Sequence, residues 1–210
     1  MNQQSPQIPI NPQAITFFDG QNLFCSAKRA FGYPYPNYDP KKLAQQICTN
    51  QGWQLIGVQF YTGLPDAADP RNYFWRAKFS QMRRDGIIVF SRELRYQDEE
   101  VILSNGQTQL VRVGKEKGID VRIAIDIIRL AHRRAYDVAI IFSQDQDLSE
   151  VAKEIRVIAQ EQNRWIKVAC AFPCASAPGN RGINQTDWLK IDKPTYDLCI
   201  DPRDYRPKKP

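Results

Sequence analysis

The chain predicts an α/β fold: a central, mainly parallel sheet with helices on both faces. Three observations lead there. Two short, uninterrupted apolar runs, residues 14–18 (AITFF) and 138–142 (VAIIF), have the length and composition of strands buried on both sides. Runs of this kind alternate with segments of helical periodicity, the pattern of βαβ units. The pairs Asp39-Pro40 and Asp69-Pro70 mark helix starts between the strands, the aspartate as cap and the proline in the first turn.

Taken in order, the first strand ends at Asp19. A helix over 23–31 follows, closed by Gly32 with Pro34 and Pro36 beyond it. Asp39-Pro40 opens a second helix to about Cys48, and 55–61, β-branched and aromatic, is the second strand. The helix from Asp69-Pro70 runs through Arg84, Asp85-Gly86 stops it, and 87–90 is the third strand. Residues 101–113 break the alternation and read as a hairpin turning at Asn105-Gly106. The insertion spans about 97–114, and 114–118 follows as a basic, flexible connector. A helix from Asp120 to about Arg134, the buried strand ending at Phe142, a helix carried by Leu148, Val151, Ala152 and Ile155, and a last strand over 166–172 complete the body. The expected organisation is one domain over 13–200 with flexible tails at 1–12 and 201–210.

At 210 residues, 42% hydrophobic and 25% charged, the chain has the composition of a globular domain with a sizeable core. A net charge of +6 leans toward polyanions such as nucleic acid, although mildly basic proteins are common. No apolar run reaches the roughly 18 residues of a membrane span. Residues 1–13 lack the basic start and apolar stretch of a secretory signal, so the expected location is cytoplasmic. The five cysteines (Cys25, Cys48, Cys170, Cys174, Cys199) form no C-x-x-C motif and read as free thiols; with a single histidine, His132, they make no tetrahedral zinc site. Neither G-x-G-x-x-G nor G-x-x-x-x-G-K-[ST] is present, which excludes a dinucleotide fingerprint and a P-loop.

The chemistry lies in two clusters at the ends of the buried strands: Asp19-Gly20-Gln21-Asn22 and Ser143-Gln144-Asp145-Gln146-Asp147. Strand ends of this kind share the sheet edge where open α/β sheets bind ligands. Carboxylates converging there repel each other unless a cation sits among them, and Mg²⁺ or Mn²⁺ prefers such oxygen ligands. The implied chemistry is metal-assisted attack on a phosphodiester. Asp19 reads as a ligand or as a helix cap, and the neighbouring Gly20 would let substrate approach the backbone. Asn22 would hold water, phosphate or the Asp19 carboxylate, or would itself be a cap. Asp145 and Asp147 point the same way if their segment is extended; Asp147 with Glu150 also matches a capping box. Asp120 opens an apolar helix. Asp126 lies inside it among isoleucines, a costly position unless it is paired or metal-bound, and Arg122 and Arg129 stand at pairing distance along the helix. Positions six apart differ by roughly 120° in direction, so Asp120 and Asp126 reach one metal only if Asp120 precedes the helix proper.

Residues 18–22 (FDGQN), 117–121 (KGIDV) and 136–148 (YDVAIIFSQDQDL) resemble the motifs of NYN domains, PIN-like nucleases that include the LabA-like group. Phe60-Tyr61-Thr62-Gly63 resembles that family's Y-Y-G-type segment, and the resemblance extends over about 13–192. It implies a PIN-like doubly wound fold, an acidic pocket for Mg²⁺ or Mn²⁺, and RNA hydrolysis. Carried over by position, Asp19, Asn22, Asp120, Asp145 and Asp147 form the pocket, with Asp126 and Ser143 as neighbours. The usual S-G-D-S-D-F reads Ser143-Gln144-Asp145-Gln146-Asp147-Leu148 here. Both aspartates stand, and the two glutamines are expected to crowd the site and narrow substrate choice.

The leading expectation is a metal-dependent ribonuclease. Asp19, Asp120 and Asp145 hold one or two ions, Asp147 acts directly or through water, and a metal-bound water attacks the phosphodiester. Arg112, Lys115 and Lys117, with Lys41 and Arg181, are candidates to track phosphates; Tyr33, Tyr35 and Trp75 are candidates for base stacking. Each also reads as an ordinary surface or core residue. RNA, single-stranded or structured like tRNA, is the expected partner, and a second copy of the chain is a candidate, with the hairpin mediating substrate choice or dimerisation. The rival to the ribonuclease is a non-catalytic RNA-binding or regulatory module, motivated by Gln144 and Gln146. A phosphatase of the haloacid-dehalogenase type ranks lower, because Gln21 stands where its second carboxylate belongs.

Overall fold

The computed structural model describes residues 6–102, 106–175 and 180–206. The elements are β1 (Gln13–Asp19), α1 (Gly20–Phe31), α2 (Pro40–Gln51), β2 (Gln54–Leu64), α3 (Arg71–Arg84), β3 (Ile88–Glu93), β4 (Arg95–Ile102), β5 (Thr108–Lys115), α4 (Ile119–His132), β6 (Val138–Phe142), α5 (Ser149–Glu161), β7 (Lys167–Pro173), β8 (Asp187–Ile191) and α6 (Lys193–Leu198). Six strands form one sheet in the order β3-β2-β1-β6-β7-β8, every neighbouring pair parallel. β4 and β5 form a separate antiparallel ribbon. The expected α/β class, its parallel sheet and the inserted hairpin are all present.

The uninterrupted apolar runs follow from burial on both faces. Along β1 and β6, Ala14, Phe18, Val138, Ile140 and Phe142 enter one core with residues of α1, α2, α3 and α6. Ile15, Phe17, Ala139 and Ile141 enter a second core with α4 and α5. Phe18 and Phe142 are fully buried and stack with ring centroids 4.0 Å apart. Each such ring contributes about 2–3 kcal/mol of transfer free energy. In register, Phe18 pairs with Phe142 and Asp19 with Tyr61, so β1, β2 and β6 deliver their next residues to one sheet edge.

Several local expectations need correction. The helix after Asp69-Pro70 begins at Arg71, and the Asp69 carboxylate still accepts from the Arg71 N–H at 2.8 Å. The Asp147 capping box does not form: residues Gln146–Leu148 make a 3-10 turn, so Leu148 occupies the cap position of α5 and Asp145 caps the turn instead. The same turn removes the extended geometry that would have pointed Asp145 and Asp147 the same way. β8 and α6 were not expected. β8 is an edge strand with only Ile191 buried, and α6 has six residues, so neither writes a strong periodic pattern.

The tail expected at 201–210 is not free over 201–206. The Asp201 N–H donates to the Asn37 carbonyl at 2.8 Å, and the Arg203 guanidinium reaches Asp39, Asp85 and Asp201. Asp201 also lies 3.7 Å from Lys78, whose fully buried ammonium donates to the carbonyls of Tyr38 and Pro36. Charges that looked solvated are partners of buried counterions. The hairpin ladder runs from Arg95↔Lys115 to Ile102↔Thr108, two residues beyond the expected start and one beyond the expected end. Asn105 of its turn lies outside the described residues. Among those described, no helix is long and apolar enough to cross a membrane.

Candidate active site

Asp19 closes β1 and caps α1. One carboxylate oxygen accepts from the Asn22 N–H at 3.0 Å, and the other accepts from the Ser143 hydroxyl at 3.2 Å. Of the two roles read from the sequence, the geometry displays the cap, and capping leaves the carboxylate at the sheet edge. Asp19 is only 6% exposed, and no Lys or Arg pairs with it among the described residues. Burial pushes its carboxyl up to about 7, the charges of Glu116 and Asp145 add to this, and the bonds from Asn22 and Ser143 oppose it.

Glu116 is the acid that sequence reasoning missed. It follows β5 directly and accepts from the Thr62 hydroxyl at 3.0 Å and from the Gly63 N–H. With its amide nitrogen turned toward the carboxylate, Gln21 donates as well, at 3.2 Å. Burial raises the Glu116 pKa, and Asp120 adds to the effect. A Cβ on Gly63 would lie 2.7 Å from the Glu116 Cγ, so only glycine lets the end of β2 accept this side chain. Lys115 and Lys117 on either side made the segment read as a basic linker; the signal available was an acid immediately before Lys117-Gly118-Ile119-Asp120.

The remaining residues fall into groups. Ser143 is buried, donates to Asp19 and accepts from the Asp145 N–H at 3.1 Å, tying the β6 end to the β1 end. Asn22 is inside α1 and is not a cap; its side-chain oxygen accepts from the Gln144 N–H at 2.9 Å, and its Nδ2 donates to no other described residue. Asp145 is half-buried and Asp147 exposed beside it. Asp120 sits in the first turn of α4, beside Glu116. Gly20 does not open the backbone to substrate: it is buried, and a Cβ there would lie 2.6 Å from the Phe60 ring.

Asp126 stands apart from this group. It is inside α4, 3% exposed, with Arg122 and Arg129 each 2.8 Å from its oxygens and the Tyr61 hydroxyl donating at 3.0 Å. Its arginine-paired reading is the one the geometry displays. Asp120 also lies within α4, so the helical angle separates the two carboxylates.

Residues 13–161 match the NYN domain family model. The chain belongs to the NYN domain family. It is 24% identical over 146 residues to the Low amplitude and bright protein LabA of Synechococcus elongatus (strain ATCC 33912 / PCC 7942 / FACHB-805). That match covers 67% of this chain and 66% of LabA, so the chain spans just under two thirds of that relative. The crystal structure of VPA0982 from Vibrio parahaemolyticus RIMD 2210633, a protein of unknown function, shares the fold at a TM-score of 0.51 and 19% identity, covering 89% of this chain and 97% of that one. NYN domains are in general nucleases, a hydrolytic family.

Within this NYN domain, the expected phosphate and base contacts are unevenly free. Lys115 is ion-paired with Glu99. The Arg112 guanidinium lies over the Tyr96 ring at 4.8 Å and 3.9 Å from Asp66. Lys41 donates to the Asp85 carbonyl. Lys117 is exposed and unpaired among the described residues. Tyr33 stacks on Tyr196, and Trp75 packs against Phe60 and Phe79, leaving Tyr35 as the exposed ring of the three.

Family membership raises the question of a divalent metal. Among the described residues no three His, Cys, Asp or Glu side chains are gathered into a ready metal nest. The donors are nevertheless all oxygen, and Asp19 is a buried carboxyl with no Lys or Arg partner among the described residues and with two further acids near it. Mg²⁺ commonly takes only one or two carboxylates and keeps several waters, so this spread arrangement fits it.

Proposed function

We propose that this NYN domain is a Mg²⁺- or Mn²⁺-dependent ribonuclease. The observation that carries the reading is Asp19: a buried carboxylate at the ligand edge of a parallel sheet, with no cationic partner among the described residues and with Glu116 and Asp145 as electrostatic neighbours. Asp19 and Asp145 would hold the metal directly, with Glu116, Asp120 and Asp147 acting through water. Bound there, the ion supplies an acidified water and charge for the leaving oxygen. The chain's own residues set the rest. The Ser143 hydroxyl and the Asn22 N–H fix both oxygens of Asp19, and the free Nδ2 of Asn22 donates to a phosphate oxygen. Lys117 is a cation unpaired among the described residues and available to the strand of RNA, whether single or folded as in tRNA.

The test is cleavage of labelled single-stranded RNA and tRNA with Mn²⁺, Mg²⁺ or EDTA, beside Asp19→Asn and Asp145→Asn. Metal-dependent cutting lost in both variants is the expected result. Cutting that persists in them, or none by the unmodified chain, overturns the reading. A second reading, an RNA-binding module that cuts nothing, draws support from the ungathered carboxylates. It expects binding without cleavage on every substrate. We further assign the hairpin to substrate choice or dimerisation, because the exposed Ile102 and Leu110 share one face of the ribbon. Deleting the hairpin without effect on either property removes that assignment.

A further inference from the structure

Gln144 and Gln146, which replace the small residues of the family pattern, do not simply crowd the pocket. Gln144 joins α1 to the segment after β7: its side-chain oxygen accepts from the Ser26 hydroxyl at 2.7 Å, and its Nε2 donates to the Asn180 side chain at 2.5 Å and the Arg181 carbonyl at 2.7 Å. Gln146 donates to the Gly182 carbonyl at 3.1 Å and accepts from the Asn184 N–H at 3.1 Å. The segment is held from beneath as well. A Cβ on Gly182 would meet Phe172 at 2.7 Å and Trp188 at 2.8 Å. Ile183 is buried with its N–H on the Cys170 sulfur, and its carbonyl accepts from Thr186 and Trp188. Asn180 donates to the Pro173 carbonyl at 2.7 Å.

This fixed backbone presents a free cation. Arg181 is exposed, and its guanidinium has no hydrogen bond, ion pair or ring contact among the described residues. Its carbonyl is one hydrogen bond from Gln144, the neighbour of Asp145. A pocket of uncompensated carboxylates repels a polyanion, so a polyanionic substrate needs cations at the rim. Building on the ribonuclease reading, we propose that residues 180–184 form a fixed wall of the site on which Arg181 grips a phosphate of the RNA backbone. Gln144 and Gln146 are the positioning residues of that wall.

The experiment measures binding of a labelled single-stranded oligoribonucleotide across a salt series in EDTA, so that nothing is cut. Proteins compared are the unmodified chain, Arg181→Ala, Arg181→Lys, Gln144→Gly with Gln146→Ser, and the triple variant Gln144→Gly, Gln146→Ser, Arg181→Ala. Arg181→Ala is expected to weaken binding about 5- to 10-fold at low salt and to flatten the log–log salt slope by about 0.7, the value of one phosphate contact on a single strand. Arg181→Lys keeps the slope. In the glutamine double variant the wall is released, so adding Arg181→Ala costs less than it does in the unmodified chain. Unchanged affinity and slope in Arg181→Ala, or no RNA binding by any protein, overturns the proposal. A full Arg181 effect in the released background overturns the role of the glutamines. Cleavage with Mn²⁺, run in parallel, separates the two ideas. Cutting with an Arg181-independent slope sinks the wall and leaves the ribonuclease; an Arg181-dependent slope with no cutting does the reverse.

Discussion

Asp19 and Asp126 are both buried aspartates, 6% and 3% exposed, and their surroundings are opposite. Asp126 has two arginines and a tyrosine hydroxyl around it. Asp19 has a hydroxyl, an N–H and two other acids. Burying a charge is costly unless it is paired. At Asp126 the pairing offsets that cost within the fold, and at Asp19 it does not. Burial alone therefore does not make a carboxylate a site candidate; burial without a counterion does.

The sharpest way to break this contrast is Asp19→Asn. We expect RNA cleavage to fall by about 10³-fold, or about 4 kcal/mol of activation free energy, with the fold intact because the amide oxygen still accepts from Asn22. The same variant tests the pH sign. The folded pKa of Asp19, about 7, lies above the ordinary aspartate value of 3.8, so the folded chain holds this proton more tightly. The stability it contributes is present below about pH 4 and is lost as pH rises through 7. Metal-free thermal melts of the unmodified chain should lose stability from about pH 4 to 7 relative to Asp19→Asn. Parallel curves would show that Asp19 is compensated after all.

Next in size is Asp126→Asn, with a loss of about 2 kcal/mol in urea titration from breaking a buried ion-pair network. The exposure of Arg122 and Arg129 moderates the cost. Cleavage per folded molecule should stay within about threefold, and a collapse of activity at full stability would return Asp126 to the site. Glu116→Gln should lower cleavage about 10-fold, about 1.4 kcal/mol. By removing a neighbouring charge it should also shift the Asp19-linked part of the melting profile to lower pH. An unmoved profile would detach Glu116 from Asp19. The smallest effect is expected at a third kind of acid, one with a shared cation. Arg203→Ala, which releases Asp39, Asp85 and Asp201, should cost about 1 kcal/mol because the guanidinium is partly exposed.

The sequence carried the sheet well because its central strands are buried on both faces. A five-residue apolar run such as 138–142, bounded by polar residues, is too short for a buried helix and fits a central strand. It carried β8 poorly because an edge strand has one neighbour and little burial. The meeting of the β1 and β6 ends was legible, since Asp19 and Ser143 follow those runs directly and hydrogen-bond to each other. Glu116 was not, because its place depends on how the hairpin base sits on Gly63, a contact 53 positions away along the chain. The glutamines were visible as departures, but their partners at 180–184 lie more than thirty residues downstream. Local pattern reports which residues are unusual; it does not report what they hold.

The hydrogen bond between Asp19 and Ser143 spans 124 positions. β1 can pair with β2 early in synthesis, but its other edge stays open until β6 has left the ribosome. Long-range parallel pairing is also slow, because loop closure precedes any reward. A nascent chain therefore carries half of the acidic pocket for most of its translation, and the pocket closes only when the second half arrives. The site in which we propose that RNA is cut is therefore incomplete until β6 has emerged.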